Sequence, residues 1–105
     1  MTDAIAVRPE PDRRRFTISV DGKDVGFAEY VRKGGRYIFT HTEIDPAFGG
    51  RGLGTALAQG AMDAMRAEGA RIVPLCPFIA AWLADHPDDD DLVDHELLAR
   101  IESPH

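Results

Sequence analysis

The stretch Phe48-Gly49-Gly50-Arg51-Gly52-Leu53-Gly54-Thr55 decides how this chain folds, because the spacing of apolar residues changes across it. Before the stretch, residues 37–44 alternate in the manner of a strand. After it, apolar residues recur at helical spacing, which predicts a helix from about Gly52 to Glu68. A glycine-rich turn between a strand and a helix therefore lies at the centre of the sequence.

Such a turn suits an anion. It places several backbone N–H groups at the positive end of a helix dipole, where they point into one small volume. Glycines also remove the side chains that would keep a diphosphate away from the backbone. The first hypothesis is therefore a site for a nucleotide-like cofactor. The alternative is a plain connection between strand and helix, in which the glycines serve tight packing.

The composition indicates one soluble globular domain covering residues 1–105. Apolar residues make up 44% and charged residues 29%, and 105 residues leave room for one hydrophobic core. The formal net charge of -6 argues against general nucleic-acid binding, because no broad basic surface is available. The same charge mildly favours a cationic substrate.

Cysteine usage and hydropathy bear on the cellular compartment. The single cysteine, Cys76, cannot form an internal disulfide, so we expect a reducing environment. No apolar run approaches the ~20 residues of a membrane span, and the N-terminus lacks the apolar core of a signal peptide. We expect a cytoplasmic protein with no membrane partner, present as a monomer or a weak dimer.

The first half of the chain predicts an antiparallel meander. Residues 4–7 suit an edge strand that nearby prolines end, and residues 16–20 alternate cleanly. Asp21-Gly22 and Lys33-Gly34-Gly35 are tight-turn signals on either side of a strand over residues 25–31.

The second half predicts a βαβ unit followed by helices, which makes the fold class a mixed α/β sheet. The strand at 37–44 should connect through the central helix, stopped by Gly69, to a parallel buried strand at 71–75. Pro77 opens a second helix that His86-Pro87 closes, an acidic solvated run follows, and residues 92–101 suggest a last amphipathic helix. If the pleat at 37–44 is regular, one side of that strand carries Tyr37, Phe39, His41 and Glu43.

The glycine spacing excludes two common nucleotide motifs. Counted from Gly50 or Gly52, the third glycine of the dinucleotide fingerprint falls on Thr55 or Leu57, and no Lys-Ser or Lys-Thr completes a Walker motif. The remaining pattern, Gly-x-Gly-x-Gly running into a helix, resembles the acyl-CoA loop of the GNAT N-acetyltransferase superfamily. Gly52 and Gly54 match that loop, and Gly49 stands where Gln or Arg is usual.

Linked blocks extend the resemblance over roughly residues 16–87. The blocks at 37–43, 50–54, Pro74-Leu75-Cys76-Pro77-Phe78 and His86-Pro87 look like the signature of very small, single-domain GNAT-like proteins. One departure is Asp89, where those proteins often have an aromatic residue. The resemblance implies a GNAT-like acyl-CoA N-acyltransferase fold, acetyl-CoA as co-substrate and no metal.

The resemblance also implies where the co-substrate lies. Members of the superfamily hold acetyl-CoA where two adjacent parallel strands splay apart, here residues 37–44 and 71–75. Backbone groups from Thr42 to Ile44 would bond the pantetheine, and the thioester would lie near His41 and Cys76. The diphosphate would rest on the loop, through Gly49, Gly50, Arg51, Gly52, Leu53, Gly54 and Thr55.

Two residues of the central strand are candidate bases, since an amine must attack the thioester as a neutral nucleophile. His41 has an ordinary pKa of roughly 6.5, near working pH, and is alternatively a packed histidine bonding a neighbouring strand. Glu43 is another base, or a partner that orients His41, or a surface carboxylate. Members of the family usually have a bulge in this strand, which would re-aim these side chains.

Cys76 lies at the start of a helix, where a thiolate is favoured. It could accept the acetyl group transiently, act as the acid toward the leaving thiol, or simply be a small buried apolar residue. His86 and His95 lack the spacing of a zinc site. Phe78 and Trp82 are predicted to be core residues.

Three functions compete at this point. The leading hypothesis is an acetyl-CoA-dependent N-acetyltransferase acting on a primary amine, either that of a small molecule or that of a lysine side chain on a protein or peptide. The second is a CoA-binding module without turnover, because so short a chain omits the helices that line the acceptor site in larger relatives. A thiol hydrolase built on Cys76 and His41 is the weakest, because no third orienting group is apparent.

Overall fold

The computed structural model describes residues 4–102. Its elements, in chain order, are β1 Ile5–Glu10, β2 Arg15–Val20, β3 Lys23–Lys33, β4 Arg36–Ile44, α1 Leu53–Glu68, β5 Arg71–Pro74, α2 Pro77–Ala84 and α3 His95–Glu102. Short 3₁₀ helices cover Pro11–Arg13, Pro46–Phe48 and Pro87–Leu92.

The strands form one sheet in the order β1-β2-β3-β4-β5. The first four strands pair antiparallel, and β5 pairs parallel with β4, so the predicted meander and βαβ unit are both confirmed. Both predicted turns fall where expected, at Asp21-Gly22 and Gly34-Gly35. The edge strand β1 is longer than predicted, because it continues through Pro9. Proline lacks an amide proton and is tolerated on the outer strand of a sheet, where no further strand needs that donor.

A β-bulge divides β4 into two halves. Glu29 pairs with His41 and Tyr30 pairs with Phe39, which leaves Thr40 without a partner in β3. The extra residue shifts the alternation of side chains by one position. The pleat is therefore not regular, and Phe39 does not share a side with His41 and Glu43. The bulge that the sequence resemblance implied for this strand is confirmed. Phe39 is fully buried, whereas His41 and Glu43 are exposed.

The core lies between the sheet and the buried face of α1. That face is apolar at helical spacing, as predicted, through Leu53, Leu57, Ala58, Ala61, Met62 and Met65. Against it pack Phe16, Ile18 and Phe39 of the sheet, and Ile79, Trp82 and Leu83 of α2. The helix ends at Gly69, which adopts the left-handed conformation (φ 66°) that the sequence predicted.

The C-terminal third differs from the prediction in detail. The last helix begins at His95 rather than near Leu92, because the Asp94 carboxylate accepts a hydrogen bond from the Leu97 amide (3.0 Å) and caps the helix. Val93 instead extends the sheet by one parallel bridge to Ile72. The second helix likewise stops at Ala84, before His86.

The acidic run at residues 88–91 is not simply solvated. It lies in the 3₁₀ helix Pro87–Leu92, and Arg66 of α1 binds two of its members. The guanidinium lies 2.8 Å from Asp89 and 2.9 Å from Asp91. The run therefore attaches this segment to α1, and Asp89 is half-buried.

Candidate active site

The parallel strands β4 and β5 separate at the middle of β4. They pair only from Arg36 and Arg71 to Phe39 and Pro74. At the point of separation the amides of Leu75 and Cys76 both donate to the Phe39 carbonyl, at 3.0 and 2.9 Å. Beyond it, within residues 4–102, no strand pairs with the β5-facing edge of residues 40–44. An extended ligand could bond this edge as an added strand would.

The glycine loop follows directly from this open edge. The Asp45 carboxylate accepts from the Ala47 amide (2.9 Å) and starts the 3₁₀ helix Pro46–Phe48. The chain then reaches α1 through Gly52, whose φ of 72° is in the left-handed region that glycine favours. Among the described residues, no side chain caps the first turn of α1, and no acidic residue lies in it. The first amides of the helix are thus open to an anion.

Two cations lie beside this loop, on the ring of Phe48. The Arg51 guanidinium carbon is 5.2 Å from the ring centroid, and Lys23 Nζ is 5.4 Å from it. Arg51 was expected here. Lys23 was missed, because it is the first residue of β3, and only the pairing of β3 with β4 brings it to the loop. Both charges favour a bound phosphate.

The side chain of Phe78, which the sequence predicted to lie in the core, lies beside the glycine loop. Phe78 of α2 packs on Gly54, and a Cβ added to Gly54 would lie 2.7 Å from the ring. Phe78 is 40% exposed, whereas Trp82, the other predicted core aromatic, is buried. The sequence of α2 is apolar on every side, so its periodicity could not show which residue faces outward.

Cys76 is buried at the separation of the two strands. It precedes the first residue of α2, and its thiol donates to the Thr42 hydroxyl over 3.3 Å. Thr42 follows the bulge in β4, so the hydrogen bond crosses the opening between β4 and β5. The structure thus brings the predicted residues Cys76 and Thr42 together, with Cys76 also packed in the core.

His41 and Glu43 lie on the other side of β4. The His41 Nε2 is 3.6 Å from a Glu43 oxygen, which is an ion-pair distance if the imidazole is protonated, and its ring contacts Phe27 with centroids 6.1 Å apart. Adjacent residues of a strand face opposite ways. The thiol of Cys76, at Thr42, and the imidazole are therefore not paired, and the arrangement needed for a Cys–His hydrolase is absent from the described contacts.

Two further histidines, His86 and His95, have structural partners. His86 stacks on Trp82 with centroids 3.9 Å apart, and His95 Nε2 lies 3.0 Å from Asp90. His105 is outside the described residues. Within residues 4–102 there is no group of three or more His, Cys, Asp or Glu side chains arranged to hold a metal ion, and no helix is long and apolar enough to cross a membrane.

Comparison with known proteins identifies the family. The family described as GCN5-related N-acetyl-transferase matches residues 15–92, which is most of the chain and includes the loop, the bulged strand and Cys76. The chain belongs to this GNAT family. It is also 36% identical to Protein NATD1 of Bos taurus over 87 residues, which cover 77% of this chain and 75% of that protein.

Further NATD1 relatives extend the similarity. The Homo sapiens protein is 34% identical over 87 residues, covering 77% of this chain and 75% of the relative. The Xenopus tropicalis protein is 33% identical over 92 residues, covering 83% and 84% respectively. The resemblance seen in the sequence is therefore confirmed at the level of the GNAT family, and the mixed sheet with its helices is consistent with that fold.

Proposed function

We propose that this GNAT-family chain is an acetyl-CoA-dependent N-acetyltransferase that acts on a primary amine. The observation that carries the proposal is the continuity of two binding surfaces, the unpaired edge of residues 40–44 and the uncapped start of α1. An acyl-CoA has a matching pair of parts, an amide-bearing pantetheine arm and a diphosphate. A plain connecting loop would need neither feature.

The residues present fit the CoA moiety. Amides at Gly50, Gly52 and the first turn of α1 would hold the diphosphate, and Arg51 and Lys23 would add positive charge. The edge from Thr42 to Ile44 would bond the pantetheine. When bound, acetyl-CoA supplies an activated acyl group on a thiol leaving group.

The chain's own residues would then accept the proton of the amine and donate a proton to the leaving thiolate. His41, next to Glu43, is on the exposed face of β4 and would take a proton from the incoming amine. Cys76 would orient the strand junction through Thr42, or donate to the departing thiolate. Proton transfer would then occur at the bulge, where β4 presents His41 on one side and Thr42, the partner of Cys76, on the other.

A pair of matched substitutions tests the loop. Gly52 and Gly69 lie at opposite ends of α1 with φ of 72° and 66°, and a Cβ at either position meets nothing within 4 Å. Alanine should therefore cost about 1–2 kcal/mol of strain at each. We expect Gly52→Ala alone to weaken CoA binding by calorimetry, roughly tenfold, the scale of one lost hydrogen bond to a charged group. Equal weakening in both variants would place the cofactor elsewhere.

Turnover separates an enzyme from a CoA-binding module. Acetyl-CoA is incubated with primary amines and basic peptides, and free thiol and acetylated product are both measured. We expect product with the unmodified chain, slower product with His41→Ala and Cys76→Ala, and no change with His95→Ala as the control. CoA binding without product across the panel would favour the module. Full rates in both variants would refute the roles given to His41 and Cys76.

A further inference from the structure

A cleft of about 340 Å³ opens on the His41 side of the sheet, away from Cys76. Its volume is within the range of small-molecule sites. The cleft lies across β2, β3 and the end of β4, and its lining includes Arg15, Phe27, Glu43 and Asp45. Gly26 also lines it, and a Cβ there would lie 2.7 Å from the Glu43 carbonyl oxygen, so only glycine permits this approach of β3 to β4.

The cleft extends to the candidate base, His41. Glu43 lines the cleft and is 3.6 Å from His41, and Phe27 lines it while contacting the His41 ring. His41 therefore lies at its rim. A ligand in the cleft would reach the imidazole from the exposed side of β4, opposite the side on which Cys76 is buried.

The charges in the cleft do not balance. Asp24 is bonded through both oxygens to Arg8, each at 2.8 Å, so its charge is matched. Arg15 lies 3.4 Å from Glu10, which matches its charge as well.

Two carboxylates in the lining remain. Among residues 4–102, the ion-pair partner of Glu43 is His41, and Asp45 uses one oxygen to accept from the Ala47 amide. In the part of the chain that the structure describes, no cation pairs with Asp45. With His41 neutral, the cleft therefore carries two uncompensated negative charges, one beside the base and one just past the end of β4, toward the glycine loop.

We propose that this cleft is the acceptor site and that it takes an aliphatic primary amine carrying a second positive charge, an inference that rests on the proposed acetyl transfer. One amine is placed at His41 and Glu43, and the second cationic group lies at Asp45. The hydrocarbon between them packs on the part of Phe27 that lines the cleft, beside the Arg15 guanidinium, whose carbon lies 4.8 Å from the ring centroid. Two separated carboxylates with an aromatic surface between them match a dication better than a single ammonium group.

The transfer balances in atoms and charge. The amine arrives as an ammonium ion and passes a proton to His41 or Glu43. Its nitrogen bonds to the thioester carbonyl carbon, the carbon–sulfur bond breaks, and the thiolate takes one proton. The products are the acetamide, the free CoA thiol and one proton released to water.

Three amines of equal carbon count test the second charge. At the end remote from the reacting amine, 1,4-diaminobutane carries a positive charge, butylamine carries no charge and 4-aminobutanoate carries a negative charge. We expect KM to rise in that order at saturating acetyl-CoA. Asp45→Asn, which keeps the cap on Ala47, should raise KM for the diamine about fivefold, the scale of one exposed ion pair, and leave KM for butylamine and for acetyl-CoA unchanged.

The matched control is Asp63→Asn, on the exposed surface of α1 and outside the cleft. It should leave all three KM values unchanged. Equal effects of the two variants, or no discrimination among the amines, would overturn the acceptor site while leaving acetyl transfer intact.

Absence of transfer to any amine would instead refute the proposed function. Changes in amide NMR chemical shifts on addition of 1,4-diaminobutane would then test whether the cleft binds the diamine. Shifts at Phe27, Glu43 and Asp45 that Asp45→Asn removes would support it, and no shifts there would overturn it.

Discussion

Substituting Gly54 by alanine tests the contact between the glycine loop and α2. The new Cβ would lie 2.7 Å from the Cζ of Phe78 and 3.2 Å from its Cε1. Carbon atoms in contact lie about 3.5–4.0 Å apart, so the ring must retreat by roughly 1 Å. Because Phe78 is 40% exposed, the ring can move toward solvent, and we expect a cost near the lower end of the usual 1–3 kcal/mol for overpacking.

Helix propensity acts in the opposite direction. Alanine stabilises a helix by up to about 1 kcal/mol relative to glycine, and somewhat less in the first turn where Gly54 lies. The two effects nearly cancel, so Gly54→Ala alone should change the free energy of unfolding little. In a Phe78→Ala background the clash is gone and only the gain remains. The coupling free energy between the two substitutions should therefore be about 1–2 kcal/mol.

The assay is urea denaturation of the unmodified chain, both single variants and the double variant, checked by thermal melting. One kcal/mol corresponds to about 4–8 °C in Tm for a domain near this size. Gly60→Ala is the matched control, since a Cβ there would lie 2.8 Å from Val7 and should not couple to Phe78. Additivity of Gly54→Ala and Phe78→Ala within ~0.5 kcal/mol would refute the contact.

Two further predictions concern the C-terminal third. The Leu97 amide and the Arg36 guanidinium hold the pKa of Asp94 below its ordinary value, so the stabilisation is complete above about pH 4 and is lost as pH falls through the folded-state pKa. Asp94→Asn should flatten the dependence of Tm on pH in acid, and an unchanged slope would contradict this. Arg66→Met should lower Tm by releasing Asp89 and Asp91, and the loss should shrink in 1 M salt; a loss independent of salt would indicate packing by the Arg66 stem instead.

The architecture could be predicted because its signals are local. Turn signals at Asp21-Gly22 and Gly34-Gly35, and the helix stop at Gly69, each depend on backbone conformations that few residues allow. The glycine loop was predictable for the same reason. Together with the change of period at residues 48–55, these signals suffice for the order of the elements.

The site was predictable only in part, because its details depend on tertiary contacts. No sequence pattern reports that Thr40 is the extra residue of a bulge, so the faces of His41 and Glu43 could not be read from alternation. Phe78 and Lys23 reach the loop from distant elements. The acidic run looked solvated, since its partner Arg66 lies on another helix and pairs with it only in the folded chain.

The unpaired residue Thr40 has a consequence for comparing relatives of this protein. A chain that lacked one residue at this point would keep its buried Phe39 but exchange the two sets of side chains that follow, turning His41 and Glu43 inward and the partner of Cys76 outward. An alignment gap of one position in β4 is therefore not a minor length difference. Residues aligned after such a gap lie on opposite faces of the strand in the two proteins. Sequence identity counted across the gap therefore overstates functional equivalence.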